Sequence, residues 1–371
     1  MKKSVEKVAI VKCKSYNQKE VDKAIRKLLK LLNFPVNQYK KILIKPNVLG
    51  IYDRNQKAIT THPSLIGAVC RELKGEKVIG ESSFTDTEKT LKKLMPFKNI
   101  IVFEEGRLIK IKDSKAKVLK NFYLPQILKQ ADLVVNVSKL KTHSLTKMTG
   151  AIKNLYGCIP GGMKQVFHKK AQGDKKFSSL LVDIYQNIEP ELNIMDAIIA
   201  MEGEGPSAGK PKDVGLILAS KNAVALDIAA AKIMGFEPKN ILTIKEAVNR
   251  GLYSGFEIEV AGELKKISNL KFEKPTSEKK NLVRVLLRRL ARENPIITDK
   301  DKCVKCGLCA GKCPVKAITL KPYPEIDRKK CIRCFCCIEI CPQHALRLKE
   351  TLFRRLVGKI RKKRKRKLRN D

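Results

Sequence analysis

The sequence predicts an α/β domain with a doubly wound, mostly parallel sheet, followed by a small cysteine-rich α+β module. Short apolar runs alternate with segments of helical periodicity from residue 7 to residue 250, the pattern of strands joined by crossover helices. A chain of 371 residues with 43% hydrophobic side chains can bury one large core and a second small one. Nine of its 12 cysteines lie between residues 303 and 341, which sets that stretch apart. The expected organisation is an α/β domain over 1–262, a basic linker with an amphipathic helix over 263–295, the module over 296–350 and a basic amphipathic tail over 351–371.

The elements follow from local pattern. Strands are expected at Lys7–Cys13, Lys41–Ile44, Lys77–Ile79, Asn99–Phe103, Asp132–Val137, Leu192–Ile194 and Val214–Ala219. Between them, Lys19–Leu32 places Val21, Ile25, Leu28, Leu29 and Leu32 on one helical face. Pro63–Leu73 opens with proline after a threonine cap, which suits a first helical turn. Thr87–Met95, Phe177–Ile188, Ala223–Met234 and Ile241–Arg250 complete the helices, and Asn99–Lys120 reads as adjacent strands of an antiparallel insertion.

Charge narrows the function classes less than its size suggests. There are 78 Lys+Arg against 37 Asp+Glu, a formal net charge of +41. The excess is +19 over residues 1–262, +6 over 263–295, +6 over 296–353 and +10 over 354–371. Spread in this way, it does not mark a dedicated nucleic-acid arm, and with no Trp there are few stacking platforms. Nucleic acid is therefore an unlikely partner. No apolar stretch reaches about 18 residues, which argues against a spanning helix. The N-terminus runs directly into a strand pattern without a signal-type apolar region, so a reducing cytoplasmic setting is expected.

In a reducing setting, dense local cysteines point to metal rather than disulfides. Cys303, Cys306, Cys309 and Cys313-Pro314 are followed at a displacement of 28 residues by Cys331, Cys334, Cys337 and Cys341-Pro342. The repeat extends to Ala317 and Ala345. Two-residue spacers turn the backbone so that successive sulfurs face one centre, and proline redirects the chain after the fourth. Paired Cys-x2-Cys motifs also bind zinc, but two copies of the full four-cysteine pattern favour iron–sulfur clusters. The pattern resembles bacterial two-[4Fe–4S] ferredoxins, in which the fourth cysteine of each run serves the other cluster. The resemblance implies a small α+β ferredoxin-like module and two [4Fe–4S] clusters. One would be held by Cys303, Cys306, Cys309 and Cys341, the other by Cys331, Cys334, Cys337 and Cys313. Cys336 is surplus, corresponds to Leu308 and reads as a small packed residue. The Lys and Arg side chains of the module favour easier reduction and an acidic redox partner, or else form a solvated basic surface.

In doubly wound folds ligands sit beyond the carboxyl ends of strands. Here those ends are followed by Lys45-Pro46-Asn47, by Gly80-Glu81-Ser82-Ser83, by Asn136 with Lys139-Leu140-Lys141-Thr142-His143, and by Asp196 with Glu202-Gly203-Glu204-Gly205-Pro206. The segment from Thr149 to Lys164 mixes glycines with Lys153, Asn154 and Lys164, and His168 follows. The substrate-binding candidates are Lys45, Asn47, Asn136, Lys139, Lys141, Asn154 and Lys164. The catalytic candidates are His143, His168 and Lys153. Together they suit a phosphate or carboxylate, although no nucleotide-binding fingerprint is present. Lysine is so abundant that Lys45 or Lys139, taken singly, reads as solvated. Glu202, Glu204 and Asp227 read as cation ligands or as caps.

Lys45-Pro46-Asn47, Thr61-His62-Pro63, Gly80-Glu81-Ser82, Lys139–His143, Ala151–Gly157 and Glu204-Gly205-Pro206, with Ser220–Asp227, resemble the domain-of-unknown-function-362 family. The resemblance covers most of residues 1–260 and implies an iron–sulfur redox protein with its site at the Lys/His/Asn rim. It brings no substrate. The leading expectation is an oxidoreductase, or the electron donor of one, acting on an anionic molecule at that rim. The alternative is a non-enzymatic carrier or adaptor between redox proteins. Residues 281–292 and the stripe Leu352, Phe353, Leu356, Val357 and Ile360 read as amphipathic helices that dock on the large domain or touch a membrane surface.

Overall fold

The computed structural model describes residues 5–52, 55–263, 269–275 and 296–348. The strands in chain order are β1 (Lys7–Lys12), β2 (Lys41–Lys45), β3 (Glu76–Glu81), β4 (Ile100–Val102), β5 (Leu108–Lys112), β6 (Asn121–Pro125), β7 (Leu133–His143), β8 (Lys147–Thr149), β9 (Leu192–Glu202), β10 (Lys210–Ser220) and β11 (Glu259–Gly262). The small module adds β12 (Ile296–Thr298), β13 (Ile318–Leu320), β14 (Pro324–Ile326) and β15 (Leu346–Leu348).

One sheet organises the large domain, in the order β11-β1-β10-β9-β7-β2-β3-β4, with β8 hairpinned onto β7. The central run β9-β7-β2-β3-β4 is parallel, while β10 runs antiparallel to both β1 and β9. Apolar side chains leave both faces of the sheet. One face packs Val134, Leu140 and Leu218 beneath helices Asp174–Ile188 and Ala223–Ile233; the other packs Ile44, Val135 and Ile194 against helices Gln18–Leu31 and Pro63–Glu72. This two-sided burial is what a doubly wound sheet requires.

Helix Gln18–Leu31 starts where the Asn17 side chain accepts from the amides of Lys19 and Glu20, and it buries Val21, Ile25, Leu28 and Leu29. The cap of helix Pro63–Glu72 is His62 rather than a threonine, its Nδ1 accepting from the Ser64 amide. The antiparallel insertion is the separate hairpin β5–β6, whereas Ile100–Val102 joins the main sheet. Two strands run much further than their apolar cores suggested. β7 continues through Lys139–His143 with every residue buried, and Asp196 lies inside β9 rather than after it. Polar residues normally end a strand pattern, but here they are paired across the sheet and the strands continue.

In the module, β12 pairs with β15 and β13 with β14. The 28-residue repeat is visible in the backbone. Lys305, Gly307 and Lys316 have φ near +57°, +77° and +50°, matched by Arg333, Phe335 and His344 at +56°, +65° and +51°. These left-handed residues turn the chain on either side of Cys306 and Cys334. The amides of Ala317 and Ala345 donate to the sulfurs of Cys313 and Cys341, both at 3.2 Å.

Within the expected linker, residues 269–275 lie on the large domain, with Phe272 in its core and the Gly203 amide donating to the Glu273 carbonyl at 2.7 Å. The amphipathic segments at 281–292 and 352–360 lie outside the described residues. Among the described residues, no helix is long and apolar enough to cross a membrane.

Candidate functional site

The module docks through the short helix Cys336–Ile340. The Tyr52 hydroxyl donates to the Glu339 carbonyl at 2.6 Å and the Ser207 hydroxyl to the same oxygen at 3.2 Å. Phe84 packs with Cys336 and Ile340. The Glu339 side chain crosses into the large domain, where its Oε1 lies 3.2 Å from His143 Nε2. Its carboxylate closes a pocket with about 50 Å3 of free space at the strand ends. By the volume one water occupies, that is room for roughly four water-sized groups.

The pocket brings together Lys45, Asn47, Lys141, Lys153, Asn154, Lys164 and His168, seven of the expected site residues. The lysines are not solvated. Lys45 is fully buried and donates to Glu81 Oε2 and to the Pro46 carbonyl, both at 2.8 Å. Parallel pairing of β2 with β3 puts these two strand ends side by side. Burial raises the Glu81 carboxyl, against the pull of Lys45 and Lys164. Gly157 is required over this pair: a Cβ there would stand 2.2 Å from Glu81 Oε1 and 2.6 Å from Lys45 Nζ.

Lys164, on helix Met163–Lys170, donates to the carbonyl and hydroxyl oxygens of Ser82, and burial lowers its pKa to about 8. Lys141 donates to the Ile59 carbonyl at 2.7 Å and is held well below its ordinary value by burial and by Lys153. Lys153 reaches the pocket without a hydrogen-bond partner among the described residues. Burial lowers its pKa as well, opposed chiefly by Glu339.

Both candidate histidines are buried and neutral, each lowered to about 4 chiefly by burial. His143 Nδ1 accepts from the amides of Leu145 and Thr146, at 3.0 and 3.3 Å. Its proton therefore sits on Nε2, toward Glu339. Burial alone would raise the Glu339 carboxyl, but His143, Lys153 and His168 hold it at about 2. His168 stacks on Phe177 at 4.5 Å and meets the Tyr156 ring edge-on.

Asn136 and Lys139 do not line the pocket. Asn136 lies beneath it in a chain of amides. The Asn193 amide nitrogen donates to the Pro190 carbonyl, and Asn193 Oδ1 accepts from Asn136. Asn136 also donates to the Ala151 carbonyl, and its own Oδ1 accepts from Asn154 Nδ2 at 2.8 Å. Lys139 belongs to a different buried cluster, donating to Asp196 and to the Tyr16 hydroxyl, both at 2.7 Å. Asp227 caps helix Ala151–Asn154 through the amides of Ala151 and Ile152, and burial lifts its pKa to about 7 against those two bonds. Glu202 pairs with Lys212 at 3.0 Å.

Sequence reasoning missed Glu339. The available signal was a break in the repeat, since the first half carries Gly311 at that position and the second half an acid between two isoleucines.

The cysteines fall into two groups. Cys303, Cys306, Cys309 and Cys341 line one cavity. Cys331 lies within electrostatic reach of Cys334 and Cys313, and Cys337 within reach of Cys334, Cys331 and Cys313 as well as Cys309 of the first group. Four thiols per group and amides directed at sulfur suit a cubic cluster.

The family model described as domain of unknown function (DUF362) matches residues 42–232, the part of the chain that carries the pocket lysines. The chain belongs to the DUF362 family. A 4Fe-4S binding domain model matches residues 296–319, so this DUF362 protein carries an iron–sulfur module. The thylakoid-associated protein sll1697 of Synechocystis sp. is 32% identical over 263 residues, covering 67% of this chain and 80% of that protein. Among solved structures, the lactate racemase apoprotein from Thermoanaerobacterium thermosaccharolyticum is 12% identical. Its TM-score is 0.39, over 60% of this DUF362 chain and 55% of that one, too distant a likeness to define a shared site.

Proposed function

We propose that this DUF362 protein is an iron–sulfur redox protein that delivers electrons to a small anionic molecule held between its two domains. The observation that carries this reading is Glu339. A residue between the cluster ligands Cys337 and Cys341 forms one wall of a lysine-lined pocket in the other domain. Two [4Fe–4S] clusters, one on Cys303, Cys306, Cys309 and Cys341 and one on Cys331, Cys334, Cys337 and Cys313, would supply single electrons when bound.

The chain's own residues do the rest. Lys153 and Lys141 attract the anion and stabilise charge that develops on it, their reach extended by the low dielectric of the site. His143 directs its Nε2 proton toward Glu339, and His168 lines the wall beside it, so both are placed to serve proton movement. Phe84 and Tyr156 line the pocket, and Phe84 packs on the docked helix.

Electrons would enter at the other end of the module. Cys306 is exposed there, with Val304 at 63% and Leu320 at 40% exposure, among the exposed Lys302, Lys305, Lys316 and Lys321. An apolar patch ringed by lysines fits an acidic protein donor. The same patch supports the second reading, a carrier between two proteins. The relative's name places it at a thylakoid, and the basic run Arg361–Lys367 gives this chain a segment suited to an anionic membrane surface.

The test is anaerobic purification with iron and sulfide analysis, followed by reoxidation of the dithionite-reduced protein against a panel of small anions. About eight irons and eight sulfides per chain are expected, with reoxidation by some anion that Lys153→Ala slows. Zinc in place of iron refutes the cluster reading. Reoxidation by proteins alone selects the carrier.

A further inference from the structure

Building on the anion reading, we propose that the ligand is a small hydroxy-carboxylate, its hydroxyl donating to Asn154. The pocket makes two chemically opposite demands. Lys153 has no hydrogen-bond partner among the described residues and Lys141 only a carbonyl, so the pocket asks for an anion. Asn154, Asn47 and Thr149 also line it, and the buried oxygens Asn154 Oδ1, Asn47 Oδ1 and Thr149 Oγ1 have no hydrogen-bond partner among the described residues. A carbonyl-type oxygen can be satisfied only by a donor, which a bare carboxylate lacks.

The orientation of Asn154 is fixed from a distance. Its side chain is 3% exposed, and its Nδ2 donates to Asn136 Oδ1 and to the Pro46 carbonyl. Asn136 Oδ1 is itself fixed as an acceptor, because Asn136 Nδ2 donates to Ala151 and Asn193, and Asn193 donates to Pro190. Rotating Asn154 by half a turn would face its oxygen toward two acceptors with no proton between them. The amide chain thus fixes the Asn154 oxygen as an acceptor left without a donor, on a residue that lines the pocket.

The donor is a hydroxyl rather than an ammonium. Four lysines line the pocket against two lining carboxylates, Glu81 and Glu339, so a second cation on the ligand meets like charge. The free volume of about 50 Å3 keeps the molecule small. A site built around a ligand hydroxyl rejects the analogue that lacks it, because the buried acceptor is then left unpaired.

Glycolate and acetate differ by that one hydroxyl. Their dissociation constants would be measured calorimetrically on the anaerobically reconstituted full chain, with glycine as a third probe and with Lys153→Ala and Asn154→Leu variants. Glycolate is expected to bind about tenfold or more tighter than acetate, with glycine weakest. Lys153→Ala should weaken glycolate and acetate alike. Asn154→Leu, if its circular dichroism is native, should erase the preference; the comparison on the unaltered protein stands if that variant does not fold. Equal glycolate and acetate affinities, both lowered by Lys153→Ala, overturn the hydroxyl assignment and leave the anion reading intact. A preference that survives in folded Asn154→Leu, or glycine binding tighter than glycolate, also overturns it. Binding of none of the probes, or indifference to Lys153→Ala, overturns both.

Discussion

Replacing Lys45 with methionine tests whether the buried ion pair, rather than the lysine alone, supports the site. Lys45 and Glu81 are 0% and 1% exposed and 2.8 Å apart. With the lysine gone, the Glu81 carboxylate keeps the amides of Val48 and Ser82, at 3.1 and 3.0 Å, but no direct counter-charge. Breaking a buried pair in this way costs about 3–5 kcal/mol, a large share of the roughly 5–15 kcal/mol that holds a domain folded. Glu81→Gln should be destabilising for the reciprocal reason, leaving Lys45 buried beside a neutral amide. The double variant removes both charges and should recover much of the loss, giving a coupling of about 2–3 kcal/mol. Urea denaturation of the four proteins under anaerobic conditions, followed by far-ultraviolet circular dichroism, measures each difference. A Lys45→Met protein within about 1 kcal/mol of the parent, or a double variant equal to the sum of the singles, refutes the reasoning.

Other consequences can be checked on the same preparations. Gly157→Ala drives a Cβ onto Glu81 and Lys45 and should cost about 1–3 kcal/mol by denaturation, as overpacking does elsewhere. Asp227 has a folded pKa near 7 against an ordinary 3.8, so it favours the fold most below about pH 4, and that contribution is lost as pH rises toward 7. Over this range the shift is worth about 4 kcal/mol, and Asp227→Asn should remove that part of the pH dependence of stability. Cys336→Ala should retain the iron content of the parent, whereas Cys334→Ala should lose iron, each measured by colorimetric assay. Lys305→Glu should slow reduction by an acidic protein donor at low salt while leaving dithionite reduction unchanged, as read by stopped-flow absorbance.

The sheet was legible because strands such as Ile42–Ile44 and Val134–Val135 are apolar runs between helices of clear periodicity. The cysteine module was legible because its chemistry is written in spacing. What could not be read is the extension of β7 through Lys139, Lys141 and His143, because the groups that neutralise these side chains are distant in the chain. Asp196 serves Lys139, the Ile59 carbonyl serves Lys141 and Glu339 faces His143. Local pattern treats a lysine as a surface residue, whereas this sheet accepts it wherever a partner meets it in space. Asn136 and Lys139 show the converse. They sit near the pocket residues in sequence, yet Lys139 pairs in register with Asp196 and joins the Tyr16–Asp196 cluster, ahead of the register shift that precedes Lys141.

Burying several lysines in one pocket opposes folding, and the structure offsets only part of that opposition. Lys45 has Glu81 and Lys164 has Ser82, yet Lys141 has a single carbonyl and Lys153 has neither bond nor ion pair among the described residues. Burial lowers the pKa of both, and Glu339 of the module opposes that lowering in each case. The docked helix therefore does more than cover the pocket; it supplies an acid that offsets part of the burial penalty on Lys141 and Lys153. The pocket is lined by residues of both domains. Glu339 lies between Cys337 and Cys341, so on the proposed ligand assignment whatever fixes those cysteines also fixes the wall of the pocket.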